Sequence, residues 1–138
     1  MAWNRSGFDS RWVHDMNASL DDIRIIREKV AVSELKPLAA LWYGTMIKGV
    51  ADLQRGIIAL GGDWHIDANS KLIEDGSSKL DLWGFNLYLD EHGDNAIEYQ
   101  SLINIRPSQG NRTIDIKDTE LCNKILLTVR PLVPELFI

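Results

Sequence analysis

Between Arg106 and Arg112 the sequence Arg-Pro-Ser-Gln-Gly-Asn-Arg sets two guanidinium groups, two side-chain amides and a serine hydroxyl within seven positions. Arginine forks and the backbone N–H groups of Ser108-Gln109-Gly110, converging on one point, would hold a small anion such as phosphate or a nucleotide. The same groups would serve a structural loop whose Asn111 satisfies backbone atoms at a tight turn. The segment is not a P-loop, because the lysine is missing and the glycine spacing is wrong. Candidate ligand-binding residues are therefore Arg106, Ser108, Gln109, Asn111 and Arg112, with Glu98 nearby in the sequence.

Two smaller constellations accompany the loop. His65 and Asp67 form a His-x-Asp pair, and a β-strand would place both on one face. With a third ligand such as Asp63 or Glu98 they would hold a divalent metal; otherwise Asp67 caps the following helix and His65 is its hydrogen-bonded neighbour. Asp52, Glu98 and Arg106 fall on the polar faces of expected strands. Two carboxylates beside an arginine can act as a general acid and base, although solvent-facing polar positions on a sheet look the same in sequence. Trp83 and Phe85 alternate with small or polar residues, as a buried strand face should, and Cys122 falls inside a helix, where packing is expected over nucleophilicity.

The elements that must position these groups follow from periodicity. Ile23 to Glu28 is a β-branched run and reads as a first strand. Ser33 offers an N-cap to a helix in which Leu35, Leu38, Ala39 and Trp42 recur at helical spacing, closed by Gly44. Ile47–Leu53 and Ile57–Ile66 form a hairpin across Gln54-Arg55-Gly56, with glycine last in a three-residue turn. Asp67 caps a short helix, Ala68 to Asp75, closed by Gly76. Strand Leu80 to Leu89 turns Trp83, Phe85, Leu87 and Leu89 to one face and Gly84, Asn86 and Tyr88 to the other. A further strand, Ala96 to Arg106, alternates similarly, and Asp118 caps a last helix bearing the Leu121, Ile125, Val129 stripe. The order β-α-β-β-α-β-β-α predicts an α+β fold, a mixed or antiparallel sheet of about five strands with three helices.

Three blocks carry a resemblance: Gly61-Gly62-Asp63-Trp64-His65-Ile66-Asp67, Asp81-Leu82-Trp83-Gly84-Phe85-Asn86-Leu87-Tyr88 and Ile103-Asn104-Ile105-Arg106-Pro107-Ser108-Gln109-Gly110-Asn111-Arg112. Together they resemble a family of short bacterial proteins known as a domain of unknown function, over roughly Ile23 to Arg130. That family usually has glutamate where Asp63 stands and alanine rather than Gly49 before Val50, differences the fold is expected to tolerate. The resemblance implies a bacterial cytosolic protein and supplies neither reaction nor cofactor.

Composition sets the outer bounds. The 138 residues suffice for one domain with a real core, and 45% hydrophobic with 25% charged residues is ordinary for a globular chain. A net charge of −5 argues against general nucleic-acid binding. The single cysteine forms no internal disulfide and fits a reducing cytoplasm. No apolar run is long enough for a membrane helix, and the N-terminus lacks a signal-peptide centre, so the Asn4, Asn17 and Asn111 triplets carry no glycosylation meaning. Residues 1–21, with Trp3, Trp12 and His14 at no clear period, read as a poorly ordered extension or docking arm, and Met16 as an alternative start. Residues 22–138 read as one domain. The apolar tail Leu132 to Ile138, with Trp42 and Trp64, points to a non-enzymatic binding or interaction module that forms a homodimer. The alternative is a small enzyme or anion-binding protein built on the Arg106–Arg112 loop with His65, Asp67 and Glu98.

Overall fold

The computed structural model describes residues 18–138. The expectations placed on the first seventeen residues (the docking arm, Met16 as a start) lie outside them. Residues 18–21 were grouped with that extension, yet Ser19 caps a short 3₁₀ turn, Leu20–Asp22. From there the chain runs β1 (Arg24–Ile26), α1 (Val32–Ala40), β2 (Met46–Asp52), β3 (Ile57–Leu60), α2 (His65–Glu74), β4 (Leu82–Tyr88), β5 (Ile97–Glu98) and α3 (Thr119–Val129). The strands form one antiparallel sheet in the order β1-β3-β2-β4-β5. The α+β class and the element order match the sequence expectation.

The sheet separates two cores. On one side Ile47, Trp83, Phe85 and Leu87 pack against Leu35 of α1, Ile125 and Val129 of α3 and Val133 and Leu136 of the tail. On the other side Val50, Ile57, Ala59 and Leu82 pack under Ala68 and Leu72 of α2. The hairpin joining β2 and β3 closes as expected, with Gly56 at φ 67°. Asp52 anchors that turn, its carboxylate accepting from the backbone N–H groups of Gln54 and Arg55 at 2.9 Å each and from the Ser77 hydroxyl.

Several local expectations are corrected. Strand Ile57–Ile66 ends at Leu60, because Gly61 (φ 121°) and Gly62 (φ 98°) turn the chain out of the sheet. Helix α2 starts at His65, so Asp67 lies inside it and reaches back to the Trp64 N–H at 3.4 Å instead of preceding it. Ser33 is not the cap of α1. Glu34 accepts the Ala31 N–H, while Glu135, from the tail, accepts the Val32 N–H at 2.8 Å.

The largest departure is in Ala96–Arg106, where only Ile97–Glu98 is strand. Beyond it the chain turns through Leu102–Asn104, and the buried Asn104 amide takes the place of a paired backbone. Its Oδ1 accepts from Gly84 N at 2.8 Å and its Nδ2 donates to Gly84 O at 2.9 Å. Gly84 permits this approach, since a Cβ there would lie 2.5 Å from Ser101 Cβ. The tail Leu132–Ile138 folds onto its own domain: Leu132, Val133 and Leu136 are buried, Phe137 packs on the same core, and Val30 N donates to Leu132 O at 2.9 Å. The apolar tail therefore does not supply the free surface on which a homodimer was expected.

Candidate functional site

Pairing register brings together residues that sequence spacing kept apart. Lys48 of β2 lies opposite Asn86 of β4, and Asn86 lies opposite Glu98 of β5. The three form a polar row across adjacent strands, on the sheet face that carries α2. The Gly61-Gly62 turn delivers the first residue of α2, His65, to this row. Its Nε2 lies 2.9 Å from the Phe85 carbonyl. A carbonyl only accepts, so Nε2 carries the proton and Nδ1 keeps its lone pair.

Electrostatics follow from burial. The His65 pKa is pushed down to about 4, chiefly by desolvation, so the ring is neutral at pH 7. Burial also holds the Lys48 ammonium below its usual range, opposed by the charge of Glu98. Glu98 Oε1 accepts from Asn86 Nδ2 and from the Tyr88 hydroxyl, each at 2.9 Å, and burial with this partnership raises the Tyr88 pKa. The Lys48 ammonium lies 5.3 Å from the centroid of the Tyr43 ring. Asn86 Oδ1 is buried with no hydrogen bond of ordinary geometry, although the Asn86 amide lies near enough to the His65 ring to favour its proton.

The row borders a cavity of about 260 Å³. Lys48, His65, Asn86, Gln100 and Ser101 supply its polar lining, and Trp64, Ile66, Leu102, Ile103 and Ile114 its apolar walls. Trp64 and Leu102 are 62% and 66% exposed. Ile66 and Ile103 also line a neighbouring concavity of about 460 Å³ that runs toward Leu80, Ile105 and the Arg106 loop. What the cavity offers a ligand is one ammonium at the margin of an apolar slot.

The other expected site residues are placed differently. Arg106 stacks on Trp83, its carbon Cζ 4.4 Å from the ring centroid. It donates to the backbone carbonyls of Ile103 and Lys79 at 3.0 Å each, and also to that of Leu82. Gln109 Nε2 donates to Leu80 O at 3.1 Å, and Asn111 Nδ2 to Asn104 O and Thr113 O at 2.8 Å each. These side chains bind backbone, which is the arrangement of a structural clamp. Ser108 and Arg112 are exposed, and Arg112 does not line the concavity that Arg106, Ser108 and Gln109 border. His65 and Asp67 are two residues apart on a helix rather than a strand, so they do not share a face. Among the described residues no group of three or more His, Cys, Asp or Glu could hold a metal ion.

Asp52 sits four residues along β2 from Lys48, about 13 Å at the usual rise per strand residue, so Asp52, Glu98 and Arg106 do not converge. Of the sequence candidates, only His65 and Glu98 reach the polar row. Lys48, Asn86 and Tyr88 were not singled out as site residues. Their one sequence signal was a polar side chain on the α2-facing side of an otherwise apolar strand.

A five-stranded antiparallel sheet with α2 on one face, α1 and α3 on the other, and a lateral apolar cavity defines this as a small α+β domain. The chain belongs to the family described as Protein of unknown function (DUF5674), which matches residues 24–132. No curated protein and no solved structure matches the chain.

Proposed function

We propose that this domain is a non-catalytic binding module whose ligand, a small and largely apolar molecule, occupies the cavity between α2 and the Leu102–Asn104 turn. The observation that carries this reading is the cavity's character: an open slot of about 260 Å³ with five apolar side chains around a few polar groups. Ligand sites are typically concave, mostly apolar and furnished with a few placed polar groups. Engagement of Glu98 by Asn86 and Tyr88, and of His65 Nε2 by Phe85, supports binding over proton transfer. A cytoplasmic, bacterial setting completes the proposal: the single cysteine, half-buried Cys122, supports the compartment, and the bacterial origin rests on the resemblance in sequence. The test is a thermal-shift and tryptophan-fluorescence titration with small apolar molecules. Binding should raise the melting temperature and alter an emission component absent from Trp64→Phe; no response to any of them would overturn the reading.

Self-association is a second reading, now resting on a different surface. Leu102, Trp64, Leu80, Ile66 and Ile105, 66%, 62%, 59%, 52% and 43% exposed, line the two adjoining concavities and form an apolar strip. Light scattering should give a dimer mass that Leu102→Glu reduces to a monomer; a monomeric wild type refutes it. The anion reading of the Arg106–Arg112 loop rests on exposed Arg112, since Arg106 is engaged with backbone. It requires a melting shift with phosphate that Arg112→Ala removes.

A further inference from the structure

We infer that the cavity takes a small monocarboxylate, its carboxylate paired with Lys48 and its apolar body lying along Trp64, Ile66, Leu102 and Ile103. The inference rests on the binding-module reading and adds the ligand's chemistry. Three observations carry it.

The first is the state of Lys48. Its side chain is half-buried and borders the cavity, and among the described residues no carboxylate stands within ion-pair distance of it. The Tyr43 ring faces its ammonium on one side at 5.3 Å. A ring face balances a cation only in part, and a ligand anion entering from the cavity side would complete the pairing.

The second is the position of Glu98. Glu98 is the acid of the same polar row, but Asn86 stands between it and Lys48, and its Oε1 already accepts from Asn86 and Tyr88. It does not line the cavity. The charge a ligand meets is therefore the cation. A neutral ligand would strip water from that cation without replacing it, and a cationic ligand would be repelled.

The third is the scale and number of groups. One ammonium suits one negative charge, whereas a phosphate dianion calls for several donors. His65 does not add a second positive charge at neutral pH, because burial keeps its ring neutral against the opposing pull of the Phe85 carbonyl on Nε2–H. A volume of about 260 Å³ lies just below the range usual for drug-sized ligands, which suits a small body.

The experiment is calorimetric titration of the full chain at pH 7 with hexanoate, hexanamide, hexylamine and inorganic phosphate. Hexanoate should bind at least tenfold more tightly than hexanamide, with hexylamine and phosphate weaker still. Lys48→Met should reduce hexanoate to the level of hexanamide, Lys48→Arg should retain the preference, and Lys117→Met, an exposed lysine elsewhere, should leave it unchanged. The ligand series in the wild type stands even if Lys48→Met does not fold. Equal affinity for hexanoate and hexanamide would overturn the carboxylate inference while leaving the cavity as an apolar site. A preference for hexylamine, or phosphate binding as tightly as hexanoate, would overturn it as well. No binding by any of the four, together with no response to other apolar probes, would overturn both readings.

Discussion

His65 is held neutral by burial while its Nε2–H is held by the Phe85 carbonyl, and this couples its protonation to folding. Its folded pKa, about 4, lies below the value near 6.5 of an unfolded histidine. The unfolded chain therefore binds more protons between those limits, and stability is lost as pH falls from about 6.5 toward 4. The largest loss from this one group is ~3 kcal/mol. His65→Gln preserves a donor toward Phe85 O without titrating, so urea midpoints of the variant should fall less steeply than wild type over that window; parallel slopes would exclude the coupling. Arg106 is a different kind of fixture. It binds three carbonyls from two chain segments, and a planar fork stacked on an indole has no lysine equivalent. Arg106→Lys should cost about 3 kcal/mol by chemical denaturation, through carbonyls left unpaired. Gly49 leaves no room for a side chain among its present neighbours. A Cβ would lie 2.4 Å from Phe85 Cζ and 2.8 Å from Leu60 Cδ2, both side chains fully buried. Gly49→Ala should therefore destabilise by about 1–3 kcal/mol, with partial recovery on Phe85→Leu; additive losses in that double-mutant cycle would show that the ring is not the obstacle. Polar residue types marked Arg106 and His65 as special in the sequence. Their tasks depend on which carbonyl lies overhead, and that is a tertiary fact.

The elements were legible wherever one physical rule acted alone. Alternation along Leu82–Tyr88 correctly placed Trp83, Phe85 and Leu87 in one core, because a pleated strand leaves no other arrangement. Asp118 caps α3 as expected, accepting the Glu120 N–H at 2.9 Å. Alternation failed after Glu98, where Ile103 and Ile105 keep the period but the backbone leaves the ladder and the Asn104 amide bonds Gly84 in its place. A side chain that imitates a strand has no signature in hydrophobic pattern. The cap of α1 was missed for the same reason, since Glu135 reaches Val32 from the far end of the chain. The tail was read from its composition, which reports apolar content and not its partner. Leu136 is 1% exposed within the main core, so Leu136→Ala should cost about 2–5 kcal/mol by urea denaturation. A loss below ~0.5 kcal/mol would mean that the tail is dispensable to the fold.

At the scale of the whole molecule, every strand pairing is antiparallel, and β2 sits at the centre with β3 and β4 on either side. That placement aligns Lys48 with Asn86 and Glu98, which lie far from it in sequence. The candidate site was therefore legible only in fragments: Glu98 and His65 were visible as types, while the row depended on a register that no single strand encodes. The same topology leaves the sheet's two edges short, three residues in β1 and two in β5. Short edges offer little template for a further strand, which favours side-chain contacts over backbone pairing in any partner. The link from Val30 N–H to the Leu132 carbonyl carries one more consequence. Because that amide is tied to the C-terminal segment rather than to a strand or helix, its deuterium uptake is a clock for tail undocking. Exchange of Val30 faster than that of Val50 and Phe85 in the central strands would time a local opening, whereas matching rates would mean that tail and sheet come apart in a single event.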